Sequence, residues 1–252
     1  MKTREETLKK SRSVLDCAYE SYVTSKIGHV TGDSATDRAS SRRVYRRYLR
    51  GWLPPDSDAK ILDLGCGHGN LLDFFCEQGY CNLEGVDRSP QQVARARRRF
   101  PQVVEGDALD YVSGPRGSYT LITAIDLLEH LTAQDAMDLL QACHEVLVPG
   151  GQIIVQTPNA AGIRAGTLIW GDMTHQQVYT PSSLEQLLEL NGFQQLQLRE
   201  TAPVVHGLSS LCRYVGWGLL ATGARLADLV ETGRTQKVYT RNMLARAVKA
   251  RE

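Results

Sequence analysis

Three kinds of residue in this sequence are spaced for chemistry. The first are the glycines of Lys60-Ile-Leu-Asp-Leu-Gly-Cys-Gly-His-Gly-Asn70. Side chains at Gly65, Gly67 and Gly69 would keep a ligand away from the backbone, so a turn built on them leaves room for one. The second are acids at the ends of short apolar runs: Asp87 after Leu83-Glu-Gly-Val, Asp107 after Val103-Val-Glu-Gly, and Asp126 after Leu121-Ile-Thr-Ala-Ile. An acid about twenty residues beyond a glycine turn is placed to hold ribose hydroxyls. The third are histidines that come with an acid, Glu129-His130 and Asp172…His175. Histidine is the usual general base for a hydroxyl acceptor, and an Asp–His pair can also hold a divalent metal. His29 is a further candidate base. The glycine spacing is G-x-G-x-G, one residue short of the dinucleotide fingerprint.

The elements that must position these residues follow from the apolar pattern. Ile61, Leu62 and Leu64 read as a buried parallel strand, and Asn70–Phe75 opens a helix whose N-terminus presents free N–H groups to the turn. Leu71–Gln78, Pro90–Phe100 and Ala133–Leu147 read as helices. The runs ending in Asp87 and Asp107, the run Leu121 to Asp126, and Gln152–Gln156 read as strands. Strands separated by helices imply right-handed crossovers and a mainly parallel sheet. Ligands of such sheets bind beyond the carboxyl ends of the strands, where the glycine turn and the three acids all fall. Thr180 or Ser182 starts a helix that Asn191-Gly192 stops before a strand at Phe193–Leu198, and Arg241–Val248 reads as the final strand. Arg95, Arg97, Arg98 and Arg99 form a charge run that reads as a solvated face. Ser40 or Ser41 is read as the cap of a basic helix through Arg50, with Val44, Tyr45, Tyr48 and Leu49 as its apolar face.

In this order the pieces resemble the class I S-adenosylmethionine-dependent methyltransferases, over roughly residues 42–200 plus the returning strand. The run from Asp172 through Thr174-His175, Tyr179-Thr180 and Leu184 to Gly192-Phe193 resembles that of bacterial small-molecule and glycan methyltransferases. The resemblance implies a Rossmann-like, doubly wound α/β fold. Its seven-stranded sheet is mainly parallel with an antiparallel last strand, and N-terminal helices and a helical insertion are added. It divides the chain into an N-terminal cap (1–55), a cofactor-binding core (56–202), an insertion (203–235) and the last strand (236–252). It gives the methionine end of S-adenosylmethionine to Asp63, Gly65, Cys66, Gly67 and Gly69, with Asp126 and Leu127 beside it. The ribose goes to Asp87 and Arg88, and the adenine to Asp107 and Ala108. An acid at position 63 suits a sulfonium cation better than a pyrophosphate. His175, His130 and Asp172 are the expected catalytic residues, and Tyr22, His29 and Arg42 further pocket residues. A divalent metal is compatible with the Asp–His spacing, but no metal ligands are assigned. The expected reaction is O-methylation of a sugar in a bacterial surface glycan or its precursor. The alternatives are a quinone or polyketide-like acceptor, or a non-catalytic cofactor-binding scaffold.

Composition bounds the partners. Residues 1–50 carry twelve Lys/Arg against six Asp/Glu, residues 203–252 eight against three, and residues 51–202 nine against nineteen. Basic flanks around an acidic core can meet anionic partners or be solvated helix faces. No N-P-P-Y or D-P-P-Y run follows the fourth strand, so nucleic acid is not the expected substrate. Six cysteines without C-x-x-C spacing read as reduced, mostly buried thiols of a cytoplasmic protein, and no apolar leader core opens the chain. Leu208, Leu211, Val215, Leu219, Leu226 and Leu229 recur at helical spacing in the insertion, interrupted by Gly216, Gly218 and Gly223. The glycines predict partial order there. The stripe over 203–233 can be a lid packed on the enzyme, a homodimer surface, or a peripheral contact with the inner face of a membrane.

Overall fold

Strand β1 (Ile61–Leu64) is short and buried along its whole length, which only a strand covered on both faces tolerates. Its side chains alternate between two cores. Leu62 and Leu64 enter one and Ile61 the other, as Ile153 and Val155 oppose Ile154 further on. In the structure, a computed structural model describing residues 35–114 and 117–251, β1 lies at the centre of one seven-stranded sheet. The strands run β3 (Val104–Glu105), β2 (Leu83–Asp87), β1, β4 (Tyr119–Ile125), β5 (Leu147–Pro158), β7 (Asn242–Lys249), β6 (Phe193–Glu200). Pairing is parallel from β3 through β5, and β7 runs antiparallel to both β5 and β6. The expected doubly wound α/β sheet with its antiparallel last strand is therefore present.

The helices start where local chemistry lets them. Following α1 (Ala35–Tyr48) and α2 (Asn70–Glu77), α3 (Pro90–Ala96) is capped by Ser89 with Pro90 in its first turn. Asp107 caps α4 (Ala108–Ser113), Thr132 caps α5 (Ala133–Val146), and α6 (Gly166–Ile169) is a single turn. A Thr180–Ser183 capping box opens α7 (Pro181–Leu190). Helix α8 (Leu208–Thr232) lies between β6 and β7.

Several expectations are corrected. Ser40 and Ser41 cap nothing, because α1 begins earlier and carries them in its middle. Arg42 turns to Glu77 of α2 at 3.4 Å and lines neither large cavity. Tyr22, His29 and the helical pattern of residues 1–26 lie outside the described residues. Helix α3 stops at Ala96; Arg98 beyond it is exposed as expected, but two of its neighbours are braces. Arg97 Nε donates to Val103 O at 2.8 Å, and Arg99 donates to His68 O at 2.7 Å and pairs with Asp73. Strand β3 keeps only two of the residues from Val103 to Ala108. Of the five described cysteines only Cys66 and Cys143 are buried, so the thiols are mostly exposed. Helix α8 is continuous over 25 residues despite its glycines, and no close approach among the described residues requires Gly216, Gly218 or Gly223, where an added Cβ would meet nothing within 4 Å. Its leucines point outward, so the apolar stripe is not the inner surface of a lid.

Candidate active site

The glycine turn is fixed by the strand beside it. Gly65 N and Cys66 N both donate to Val86 O, and Gly67 N donates to Asp87 Oδ2 at 2.8 Å. The other oxygen of Asp87 accepts from Ser89 N at 2.8 Å. One carboxylate thus ties β2 to the turn and to the start of α3. Gly65, Gly67 and Gly69 all have positive φ (70°, 53° and 87°), where a side chain is strained. Their surroundings differ. A Cβ on Gly69 would press on the Phe100 ring at 3.2 Å, whereas one on Gly67 meets nothing within 4 Å. The open side of Gly67 is a cavity of about 490 Å³ at the carboxyl edge of the sheet. Gly65, Gly67, Asp87, Arg88, Asp107, Ala108, Asp126, Leu127 and His130 all line it.

Asp63, Cys66 and Gly69 stand behind this wall and do not line it. Cys66 is buried with its sulfur against Gly85, and Gly69 closes the N-terminus of α2. Asp63 is 2 % exposed and accepts from the Thr123 hydroxyl at 2.7 Å. Burial pushes its pKa up to about 7, against the Thr123 bond, and the Asp87 charge adds to the rise. Burial likewise raises Asp87, opposed by its two backbone bonds. Asp107 Oδ1 accepts from Leu109 N and Asp110 N, so this acid also serves as a helix cap. Gln92 lines the same cavity, and its buried Oε1 has no hydrogen-bond partner among the described residues.

The acidic-histidine turn and the Asp172–Gln177 loop are far apart in sequence and meet here. Gln176 N and Gln177 N donate to Glu129 O, and Gln176 Nε2 donates to His130 O. The rings of His130 and His175 stand edge to face with centroids 4.8 Å apart. The expected Asp172–His175 pair is not formed. Asp172 Oδ1 accepts from both Thr174 N (2.8 Å) and the Thr174 hydroxyl (2.6 Å), and His175 Nδ1 bonds Ile169 O instead. An aspartate bonding the backbone two residues on is a local turn that outcompetes the longer reach. Because the Thr174 proton goes to Asp172, its oxygen accepts from His130 Nδ1 at 2.9 Å. That sets the tautomer of His130 with its lone pair on Nε2. Burial and the His175 charge bring its pKa down to about 4, so it is neutral near pH 7. Glu129 is buried, and its pKa is held well up by burial and by Asp126, against a side-chain bond from Thr157. Glu129, His130 and His175 bring one ligand atom each within 4.8 Å of one another, and this trio could hold a metal ion.

A second, larger cavity of about 880 Å³ lies between α1, the segment after β5, and α8. Its wall is mixed: Asp37, Ser40, Ser41, Asp126, Arg164, Arg241 and Asn242 supply polar groups, Val44, Ile125, Ile163, Leu168 and Leu220 apolar ones, and Tyr45, Tyr48 and Trp217 aromatic surfaces. Ile125 and Asp126 line both cavities. Asp126 has φ +53°, a strained conformation for a residue with a side chain. Gln156 Nε2 donates to its Oδ1 at 2.9 Å, and burial raises its pKa. The charges of Asp63 and Asp126 add to burial in pushing Tyr45 up, so that phenol faces the acids of the junction.

The sequence pattern therefore located the first cavity and missed most of the second. Gln92 in the first cavity and Gln156, Arg164, Trp217, Arg241 and Asn242 in the second carry no motif that marks them as site residues. They converge from α3, the β5–α6 segment, α8 and β7. His175 lines neither cavity and reaches the site through His130.

The comparisons agree with this geometry. The profile of the methyltransferase domain family matches residues 37–198. The chain is 32% identical over 108 residues to a ubiquinone biosynthesis O-methyltransferase of Pseudomonas aeruginosa, covering 40% of this chain and 44% of that one. A probable S-adenosylmethionine-dependent methyltransferase of Mycolicibacterium smegmatis is 29% identical over 148 residues, 58% of this chain and 55% of that one. The chain thus spans about half the length of the curated relatives it matches. A methyltransferase structure from Archaeoglobus fulgidus superposes with TM-score 0.61 at 21% identity, covering 84% of this chain and 94% of that one. The plantazolicin methyltransferase BpumL, in complex with SAH (S-adenosylhomocysteine), superposes with TM-score 0.57 at 18% identity, covering 94% and 96%. The glycine turn, the buried acids and the unpartnered Gln92 fit S-adenosylmethionine, the cofactor of these proteins. By fold and by sequence match, the chain belongs to the methyltransferase domain family.

Proposed function

We propose that the protein transfers the methyl group of S-adenosylmethionine to a hydroxyl of a sugar in a bacterial surface glycan or its precursor. The observation that carries this reading is the junction. Ile125 and Asp126 line both the cavity behind the glycine turn and the larger cavity beside it. A donor in the first and an acceptor in the second meet at Asp126.

When bound, the cofactor supplies a sulfonium methyl open to in-line displacement by the acceptor oxygen, and most of the acceleration comes from holding the two in line. Asp126 at the junction and Asp63 behind the turn balance the positive charge of the donor. As the carbon–oxygen bond forms, the hydroxyl proton becomes strongly acidic, so a weak base suffices to take it. His130 has the properties of such a base. It is neutral near pH 7, lies on the cavity wall, and has Nε2 left as its basic atom by the Thr174–Asp172 relay. His175 positions the His130 ring. The products are the methyl ether, S-adenosylhomocysteine and a proton passed from His130 to solvent. The serines, Asn242 and arginines of the larger cavity can hydrogen-bond the hydroxyls of a sugar, and its aromatic side chains can pack against the ring.

A second reading, O-methylation of a quinone-like phenol, is favoured by the name of the Pseudomonas aeruginosa relative. The two separate in one experiment. Purified protein with methyl-labelled S-adenosylmethionine is offered sugar nucleotides, glycans and quinone precursors. Label on a sugar oxygen supports the first reading, and label on a phenol alone overturns it.

A further inference from the structure

Helix α8 is inverted relative to a helix that only packs on its own protein. A surface helix ordinarily turns its apolar residues to the core and its polar ones to water. Here the residues turned toward the body are small or polar apart from Trp217: Ser210 and Ala221 are buried, and Trp217, Ala224 and Asp228 are half-buried. At about 100° per residue the opposite side of the helix is apolar from end to end. It carries Leu208, Val215, Leu219, Leu226 and Val230, exposed by 79, 54, 72, 59 and 89 %. A contiguous face of that size marks a binding surface.

We propose that this face lies on the surface of a bilayer containing anionic phospholipid. Charge selects the occupant. Arg213 lies beside the face and Arg234 just beyond the end of the helix, and residues 203–252 hold eight Lys/Arg against three Asp/Glu. Helix α1, across the acceptor cavity from α8, adds the exposed Arg43 and Arg47, while its Arg42 and Arg46 pair with Glu77. The core between the flanks, residues 51–202, is acidic, with nine Lys/Arg against nineteen Asp/Glu. A two-fold dimer through α8 would set the same basic margin against itself, whereas anionic headgroups complement it. No described helix is long and apolar enough to cross a membrane, so α8 lies in the interface rather than spanning it. Trp217 and Leu220 of the same helix wall the acceptor cavity. An acceptor carried on a lipid reaches that cavity without leaving the bilayer surface. This consequence rests on the glycan reading; the bilayer contact does not.

The test is flotation of the 252-residue chain with vesicles of phosphatidylglycerol and phosphatidylcholine in equal parts, and of phosphatidylcholine alone, at low and high salt. Binding to the anionic vesicles that weakens with salt is expected. Leu219→Glu with Leu226→Glu should lower the bound fraction on the order of tenfold or more, while calorimetric binding of S-adenosylhomocysteine, the control for folding, stays unchanged. Absence of flotation, or flotation indifferent to the two substitutions, overturns the proposal. So does a dimer on sizing that the same substitutions dissociate, which would give the face to a second copy of the chain.

Discussion

Replacing Asp63 by Asn tests whether the carboxylate behind the glycine turn is held for a cation. With no cation bound, burial raises its pKa from 3.8 to about 7. An acid whose folded pKa is raised contributes stability that is complete below its unfolded pKa and is lost as pH rises through the folded one. With those two values, ionisation of Asp63 in the unfolded chain, which the folded state resists, lowers stability by about 2 kcal/mol at pH 5 and by about 4 kcal/mol at pH 8. The wild type therefore loses on the order of 2–3 kcal/mol between pH 5 and pH 8 that Asp63→Asn does not lose. Asn keeps an oxygen to accept from the Thr123 hydroxyl, so the variant removes the charge and leaves the bond. Guanidinium unfolding of both proteins at the two pH values, without cofactor, measures the difference. Asp87, Asp126 and Glu129 are raised in the same direction, and subtracting the variant isolates Asp63. Saturating S-adenosylmethionine should shrink the gap, because its positive charge favours the ionised acid. Equal pH dependence in the two proteins would refute the reasoning.

Asp87→Ala removes both the lock on Gly67 and a carboxylate facing the cavity, and should weaken S-adenosylhomocysteine binding by about 1.5–3 kcal/mol in calorimetry. His130→Ala should lower turnover by roughly 10²–10⁴-fold with cofactor affinity kept, and His175→Ala, acting through the ring it supports, by less; equal losses would move the base to His175. With cofactor and acceptor saturating, the wild-type rate should stay level as pH falls past 6.5 and drop only toward pH 4, where His130 takes a proton. A fall centred near 6.5 would mean that another imidazole is the base. Chelator treatment should leave turnover unchanged, and a loss restored by magnesium would give Glu129, His130 and His175 to a metal.

What the sequence made legible is what burial dictates. Ile61-Leu62-Asp63-Leu64 is apolar on both sides because both faces of β1 are covered, and the order of strands and helices follows from such runs. The glycine turn was legible because positive φ and an open approach at Gly67 admit few other residues. Orientation was not. The leucine period of α8 announces a stripe without saying which way it faces, and the partners of Ser210 and Ala221 that decide this lie elsewhere in the chain. Short-range competition also escaped the pattern: Thr174 takes the Asp172 carboxylate that the spacing reserved for His175. Arg97 and Arg99 read as surface charge because their acceptors, the carbonyls of Val103 and His68, leave no mark in composition. The acceptor cavity was least legible, since its wall gathers from residues 37 to 242 with no shared spacing.

The most direct test of the central claim is a calorimetric titration of the purified chain with S-adenosylhomocysteine, S-adenosylmethionine and NAD, repeated on Gly67→Val. The cavity behind the glycine turn predicts one-to-one binding of the first two, none of NAD, and loss of binding when a side chain fills the open side of Gly67. Binding of NAD, or of neither adenosyl ligand by the intact wild type, would contradict it.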